Sequence, residues 1–261
     1  MKILLLGGNA SARVLAEKLL AEGFDVTLSV ASQEGLATVP PGAQVLVGRR
    51  DGPLWSRTLK EERFDVAVDG AHPFAVDARK TFREAASSHG LPWFALERSS
   101  LIPPRAHLAA DVDGALEAAL SLTEPGHVVF LALGVKILHR AVPVLKKAGR
   151  SVAARILPTR ESLAKALDSG LEPTEIVALW GAPEADLERA LLVRWKAACL
   201  LCKDSGVEGG IRAKAEATEA LSIPLVVIGR EEKGNGLDEE TLLLELKRMK
   251  AEGQELRERE E

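Results

Sequence analysis

Short apolar segments alternate with segments of helical periodicity along almost the whole chain, and this alternation constrains the fold more than any other feature. The segments KILLL, VVFLAL and AACLLC are near-continuous apolar runs of strand length. Runs of this kind are typical of strands buried on both faces, and alternation of strands with helices is typical of parallel sheets covered by helices. The pattern therefore predicts an α/β protein.

The length of 261 residues is sufficient for two domains. We expect the linker close to Pro125 and Gly126. The predicted domains are an N-terminal dinucleotide-binding domain (1–124), a second α/β domain (125–230), and a C-terminal helix with an acidic tail (231–261). Both domains are expected to be Rossmann-like, with mostly parallel sheets flanked by helices, and the active site is expected in the cleft between them.

The charge distribution narrows the class of partner. Residues 231–261 hold 11 acidic and 6 basic side chains, which leaves residues 1–230 with 27 acidic and 28 basic ones. A body this balanced lacks the basic surface of a nucleic-acid-binding protein. The apolar run of MKILLLGG is too short for a signal peptide, and no segment has the roughly 20 apolar residues that cross a bilayer. We therefore predict a cytoplasmic protein without nucleic-acid or membrane partners.

The turn after the first predicted strand is the candidate cofactor site. Backbone N–H groups at a strand–turn–helix junction can hold a phosphate. We predict that Gly7, Gly8 and Asn9 bind a nucleotide, with Ser11 and Arg13 as further phosphate partners. Only two of the three glycines of GxGxxG are present, so tight helix–strand packing is the alternative explanation.

The end of the second predicted strand bears on the type of nucleotide. It reads LSVAS, with Ser29 and Ser32 but no carboxylate before Glu34. A carboxylate here normally binds the ribose 2′-OH, so its absence favours NADPH, with NADH as the alternative. Arg49 or Arg50 is the candidate partner of the 2′-phosphate, and simple solvation is the alternative role for both.

Several enzyme classes are excluded by what the sequence lacks. The chain has no tyrosine, which excludes the short-chain dehydrogenases, and no GxxxxGK[ST], HExxH or GxSxG motif, which excludes P-loop, zincin and serine-hydrolase sites. Cys199 and Cys202 form a CxxC pattern, but residues three apart in a strand point to opposite faces. With no second pair of cysteines, we expect neither a metal site nor a redox site.

A second glycine-rich turn, KDSGVEGGIRAK, follows a buried strand in the second half. Lys203 ends that strand, and Gly206, Gly209 and Gly210 allow the backbone to come close to a phosphate or carboxylate. Lys214 falls in the first turn of the next helix. Because a buried lysine without an anion is costly, we expect both lysines to face one pocket and hold anions.

Eight motifs follow one another in order over nearly all of residues 1–230. They are MKILLLGG with Ala12 and Arg13, LSVAS, VGR at Val47–Arg49, AHPFA, FLALGVKIL, RILP at Arg155–Pro158, WGAP at Trp180–Pro183, and KDSGVEGGIRAK followed by IPLVVIGR. Together they resemble the precorrin-6A reductase family. The resemblance implies a corrin-pathway enzyme that uses a reduced nicotinamide, usually NADPH. Its reaction would saturate one double bond of precorrin-6A, or of its cobalt form, to give precorrin-6B.

This chemistry assigns roles to side chains at strand ends. Hydride delivery to a conjugated macrocycle requires a proton donor and cations that hold the peripheral carboxylates. His72 is the candidate proton donor, and capping of the next helix is its alternative role; Lys136 and Lys203 complete the candidate catalytic set. Gly134 is assigned to the cofactor. The substrate-binding candidates are Phe74, Arg155, Ser205, Gly206, Gly209, Gly210 and Lys214.

The chain departs from the family pattern at three points. Asn9 stands where the family usually has Thr, Asp69–Ala71 reads Asp-Gly-Ala instead of Asp-Ala-Thr, and Arg230 is followed by Glu231 instead of Pro. Asn can replace the hydrogen bond of Thr and tolerates positive φ, so the nucleotide site is expected to survive. The missing hydroxyl before His72 removes one expected contact to the substrate or the cofactor.

The predicted partner is a corrin-type tetrapyrrole substrate, and neighbouring enzymes of the pathway are the candidate protein partners. A non-catalytic NADP-binding sensor or regulatory module is the alternative function. The segment KDSGVEGG favours the enzyme, because a sensor has little need for it.

Overall fold

Strands rich in Ile, Leu and Val build two separate sheets in which every pairing of strands is parallel. The α/β class and the two Rossmann-like sheets predicted from the sequence are thereby confirmed. The computed structural model describes residues 1–97, 102–206, 209–230 and 236–258. Of residues 256–258 only the backbone is described.

The elements alternate as strand and helix through most of the chain. The first part contains β1 (Lys2–Leu6), α1 (Ala10–Ala21), β2 (Asp25–Val30), β3 (Gln44–Val47), α2 (Gly52–Glu61), β4 (Val66–Asp69), α3 (Val76–Ser88) and β5 (Trp93–Ala95). The remainder contains β6 (His107–Ala109), α4 (Val112–Ser121), β7 (Val128–Ala132), α5 (Val135–Lys147), β8 (Ser151–Ile156), α6 (Arg160–Asp168), β9 (Ile176–Ala178), α7 (Ala185–Arg194), β10 (Ala197–Lys203), α8 (Ile211–Ala220), β11 (Leu225–Ile228) and α9 (Glu239–Glu258). Short 3₁₀ helices lie at Gln33–Thr38 and Pro173–Glu175.

The chain divides into two units that differ from the predicted domains. Unit 1 comprises residues 1–98 and 234–261, and unit 2 comprises residues 99–233. The sequence placed β6 and α4 before the boundary at residue 124, but β6 pairs with β11 in the sheet of unit 2. The sequence also set α9 apart as a terminal helix, whereas it belongs to unit 1. Both differences arise from pairing and packing between residues that are far apart in sequence.

The sheet of unit 1 has the strand order β3-β2-β1-β4-β5. Alternating residues of β1 contribute to two cores: Ile3 and Leu5 pack with helix α1, and Leu4 packs with Trp55 of α2 and Phe82 of α3. Helices therefore cover both faces of this sheet. The order reverses between β1 and β4, and the carboxyl ends of strands at such a reversal form the usual ligand crevice of an open α/β sheet.

Helix α9 completes the core of unit 1 from the far end of the chain. Leu242 and Leu246 are fully buried in the core that includes α1. The Lys250 ammonium donates to the carbonyls of Glu22 and Gly23 at 3.0 and 2.9 Å, and so caps the end of α1. The acidic C-terminal segment thus contains a structural helix.

The sheet of unit 2 has the order β6-β11-β10-β7-β8-β9. Phe130, Leu200 and Val227 lie in a core with Leu192 of α7 and Ile211 of α8. Helices α4, α5 and α6 also bury apolar side chains against unit 2. The strand order reverses between β7 and β10, so the ends of these strands are the corresponding ligand edge of unit 2.

Candidate functional site

The turn between β1 and α1 is organised by Asn9. Its Oδ1 accepts the N–H of Ala12 at 3.0 Å and caps α1, and its Nδ2 donates to the carbonyl of Gly70 at 2.9 Å. One side chain thereby joins the ends of β1 and β4, where the strand order reverses. The asparagine that replaces the family's usual threonine is therefore a structural link as well as a cap.

The two glycines of this turn have different roles. A Cβ at Gly7 would lie 2.5 Å from Cδ1 of Leu28, so this position is reserved for close helix–strand packing. Gly8 has φ +89°, and a Cβ there would meet nothing closer than Cα of Val30 at 3.9 Å. Gly8 is thus required by its backbone conformation and not by close packing, and glycine at positive φ is what a phosphate-binding turn uses.

Ser11 and Arg13 differ in how the structure uses them. The Ser11 hydroxyl is buried and has no hydrogen-bond partner among the described residues, a state that is unusual for a buried polar group. The Arg13 guanidinium is half-exposed, pairs with Glu17 at 2.9 Å and donates to the carbonyl of Ala37 at 3.3 Å. An orphaned hydroxyl in the first turn of α1 fits a phosphate, and Arg13 is already engaged in holding the 3₁₀ segment.

The predicted nucleotide-selecting residues lie at the ends of β2 and β3. Ser29 is buried and its carbonyl accepts the N–H of Gly7 at 2.9 Å, so Ser29 supports the glycine turn. Ser32 and Arg49 are exposed. Arg50 instead donates to the carbonyl of Gly48 at 3.0 Å, and burial lowers the pKa of its guanidinium. Between the two arginines, Arg49 has the exposure expected of a 2′-phosphate ligand.

His72 and Phe74 form a tight turn between β4 and α3. The Nδ1 of His72 accepts the N–H of Phe74 at 3.3 Å, and its carbonyl accepts the N–H of Ala75 at 2.8 Å. These bonds order the turn that precedes α3, whose N-cap is Ala75 without a side-chain capping bond, so they do not amount to the helix-capping role left open by the sequence. With Nδ1 as the acceptor, the proton of a neutral ring lies on Nε2, which makes Nε2 the donor.

A buried ion cluster beneath this turn was missed by sequence reasoning. The carboxylate of Asp69, fully buried at the end of β4, pairs with Arg79 at 3.0 Å and Arg83 at 2.7 Å, and accepts the N–H of Ala71 at 3.2 Å. Two cations share one carboxylate, so the cluster carries an excess positive charge. The only sequence signal was an acid directly after the apolar run VAV.

The ligand edge of unit 2 carries Lys203, Lys136 and Gly134. Gly134 has φ +75° and precedes α5 without a side-chain cap. Burial, and secondarily the charge of Lys136, lowers the pKa of Lys203 to about 8. Lys136 is exposed and borders a shallow depression of about 430 Å³. The remaining lining residues are Val135, His139, Lys165, Asp168 and Ser169.

The glycine loop after Lys203 is held by its own side chains. Ser205 donates from Oγ to the carbonyl of Gly209 at 3.0 Å. Gly206 and Gly210 have φ of +77° and +76°. A Cβ at Gly209 would lie 2.0 Å from Oγ of Ser205, so this glycine is required by packing. Residues 207 and 208 lie outside the described residues.

A second buried aspartate, Asp204, was also missed. It forms an ion pair with Arg230 at 3.0 Å and accepts the N–H of Gly206 at 3.2 Å. Both pairing groups follow buried strands, and this is the sequence signal that could have linked them. Asp204 therefore fixes the first residues of the glycine loop.

Arg155 and Lys214 are placed differently from their expected positions at an open strand end. The Arg155 guanidinium pairs at 2.5 Å with the fully buried carboxylate of Glu188. Lys214 is 2% exposed and its Nζ donates to the carbonyl of Gly209 at 2.7 Å. Neither cation has the open surface that direct contact with a ligand requires, because helices α7 and α8 cover this face of the sheet.

Other classes of site find little support in the part of the chain that is described. No group of three or more His, Cys, Asp or Glu there could hold a metal ion. Burial raises the pKa of Cys199 and of Cys202 to about 12, so neither is a reactive thiolate near neutral pH. Nor does any described helix combine the length and apolarity needed to span a membrane.

Comparison with known proteins gives a consistent result. The sequence model of the family described as "Precorrin-6x reductase CbiJ/CobK" matches residues 2–247. The chain is 28% identical to a cobalt-precorrin-6A reductase of Methanothermobacter thermautotrophicus over 235 residues, which are 89% of this chain and 77% of that protein. It is 31% identical to a cobalt-precorrin-6A reductase of Salmonella typhimurium over 87% of each chain.

Two further similarities extend this result. A precorrin-6A reductase of Mycobacterium tuberculosis is 30% identical over 88% of each chain. A solved structure described as "CobK precorrin-6A reductase" covers 95% of this chain and 97% of its own, with a TM-score of 0.79 and 21% identity. At that identity the structural likeness bears on the fold alone.

Proposed function

The chain belongs to the precorrin-6x reductase family, and on that basis we propose that it uses NADPH to saturate one double bond of precorrin-6A, or of its cobalt form, yielding precorrin-6B. It is an oxidoreductase of cobalamin biosynthesis. The family resemblance found in the sequence is confirmed by a family match over residues 2–247. A cytoplasmic location and contacts with neighbouring pathway enzymes stay predictions.

The observation that carries the cofactor proposal is the turn after β1. Gly8 has φ +89° in the turn at the switch point of the sheet, and the buried Ser11 hydroxyl has no partner among the described residues. A pyrophosphate at the start of α1 would accept from Ser11 and from the first N–H groups of the helix. When bound, the reduced nicotinamide supplies the hydride.

NADPH is favoured over NADH by the chemistry of the ends of β2 and β3. No carboxylate stands at the end of β2 to bind a ribose 2′-OH, and a carboxylate there would repel a 2′-phosphate. The exposed guanidinium of Arg49 supplies the complementary charge.

The residues of the chain supply the proton and the binding charges. Reduction of the double bond places a hydride on one carbon and a proton on its neighbour. His72 is assigned to proton donation, because its Nδ1 is held by the backbone and its Nε2 carries the proton. Lys203 holds a proton that it can exchange near neutral pH, since its pKa is lowered to about 8. Lys136 and Lys203 together would bind peripheral carboxylates of the macrocycle.

The proposal is tested by an anaerobic assay with the purified full chain. NADPH absorbance and product mass are followed with precorrin-6A and, separately, cobalt-precorrin-6A, and NADH is run in parallel. We expect oxidation of NADPH only when a tetrapyrrole is present, together with a product heavier by two hydrogens. Binding of NADPH without tetrapyrrole-dependent oxidation of NADPH would instead favour the sensor. A higher kcat/KM with NADH would overturn the cofactor preference but not the reductase assignment.

A further inference from the structure

Lys214 is a lysine that the chain has buried at the base of the glycine loop. It lies in the first turn of α8 and is 2% exposed. Its Nζ donates to the carbonyl of Gly209 at 2.7 Å, across the start of its own helix. Burial lowers the pKa of its ammonium. The side chain therefore contacts the loop from below instead of contacting a ligand.

The Gly209 carbonyl accepts hydrogen bonds from two side chains. Ser205 donates from Oγ at 3.0 Å, and the N–H of Ser205 donates to the carbonyl of Lys203 at 2.8 Å. Polar contacts thus run from Lys214 through Gly209 and Ser205 to the residue that ends β10. A Cβ added at Gly210 would lie 2.8 Å from Cβ of Ala182 and 3.4 Å from Nζ of Lys214, so the loop packs tightly against Ala182 and lies in contact distance of the ammonium.

Among the described residues, the buried charges beneath the loop do not balance. Arg155 and Lys214 both interact with Glu188, the one carboxylate that these two cations share. One oxygen of Glu188 bonds to Arg155, and the other has no hydrogen-bond partner among the described residues. A neutral side chain of similar volume is often as stabilising as a buried charge. An excess buried cation therefore suggests a role other than stability.

We propose that Lys214 is a positioning residue: it turns the Gly209 carbonyl inward, fixes the described parts of the glycine loop (203–206 and 209–210), and adds a positive charge beneath a site for substrate carboxylates. This inference rests on the proposed reductase function for the identity of the ligand. The position of the loop itself does not depend on that function, so the two can be tested separately.

The test compares Lys214→Met with a matched control, Lys146→Met. Lys146 also donates from Nζ to a glycine carbonyl at 2.7 Å, that of Gly170, but it lies at the last turn of α5, at the opposite edge of the sheet. Two quantities are measured at one pH: hydrogen exchange of the peptide that spans residues 203–212, and the separate KM values for cobalt-precorrin-6A and NADPH.

We expect Lys214→Met to accelerate exchange in this peptide and to raise the KM for the tetrapyrrole about tenfold, with the KM for NADPH unchanged. Lys146→Met should change neither quantity. Unchanged exchange in the folded variant would overturn the positioning role. Faster exchange with an unchanged tetrapyrrole KM would overturn the link to carboxylate binding. If the wild-type chain reduces no tetrapyrrole, the proposed function fails, while the exchange measurement still decides the role of Lys214.

Should Lys214→Met fail to fold, Lys214→Gln tests the same contact, because its side chain is one atom shorter and carries no charge to bind the Gly209 carbonyl as Nζ does. Faster exchange of the loop in folded Lys214→Gln would support the proposal. Protection equal to that of the wild type would show that Lys214 does not hold Gly209 through its carbonyl, and would overturn it.

Discussion

Lys203→Met is expected to stabilise the protein while reducing its activity. Burial and the charge of Lys136 lower the pKa of Lys203 from 10.5 to about 8. The unfolded chain therefore binds more protons than the folded chain between about pH 8 and pH 10.5, and stability rises with pH across this window. At pH 7 Lys203 is charged in the folded chain, and its burial lowers the free energy of unfolding by the full amount that the pKa shift implies. The neutral methionine of the variant removes this destabilisation.

The size of the effect follows from the shift in pKa. A difference between 10.5 and about 8, at about 1.36 kcal/mol per unit, sets an upper limit of about 3.4 kcal/mol. Lys203 is only partly buried, and solvent screening reduces this figure to about 1–2 kcal/mol. For a chain of this length the gain corresponds to a rise in Tm of about 2–8 °C.

The assay is calorimetric unfolding of wild type and Lys203→Met at pH 7 and pH 9, combined with steady-state kinetics. The advantage of the variant should be larger at pH 7 than at pH 9, and its kcat/KM should fall about 10- to 100-fold. Lys136→Met is the matched comparison: it should give a smaller stabilisation and raise the pKa of Lys203, because it removes only the repulsion. A lower Tm for Lys203→Met, or a difference that does not vary with pH, would refute this reasoning.

Four further substitutions test the supporting structure. Gly7→Ala should lower Tm, because its Cβ would lie 2.5 Å from Cδ1 of Leu28. Gly8→Ala should cost only about 1–2 kcal/mol of backbone strain at φ +89° and should weaken NADPH binding. Thermal melts and fluorescence titration with NADPH distinguish the two variants, and equal melts would contradict the assignment. Leu246→Ala should cost about 2–5 kcal/mol in urea unfolding, and a loss below about 1 kcal/mol would mean that α9 is not part of the core. Asp204→Asn should cost about 3 kcal/mol, because it removes the charge of a buried carboxylate from its ion pair with Arg230, and a neutral effect in the same assay would show that this pair is dispensable.

The sequence alone determined the local structure of this protein. Apolar runs such as KILLL and AACLLC identified β1 and β10, because a strand buried on both faces has no polar alternation to obscure it. Gly8 and Gly206 identified the turns that follow parallel strands, because their positive φ is a local requirement that few other residues meet. The family was recognised from motifs that lie mostly at these turns.

Only the tertiary structure decided which elements belong together and which charges are buried. Strand β6 joins unit 2 through its pairing with β11, and α9 returns to unit 1 by burying Leu246 in a core near α1; both depend on partners far away in sequence. For the same reason the sequence does not distinguish Lys203, at the end of strand β10, from Lys214, in the first turn of helix α8. The covering helices leave Lys203 at the ligand edge and enclose Lys214, because burial depends on what packs above a residue and not on the residue itself.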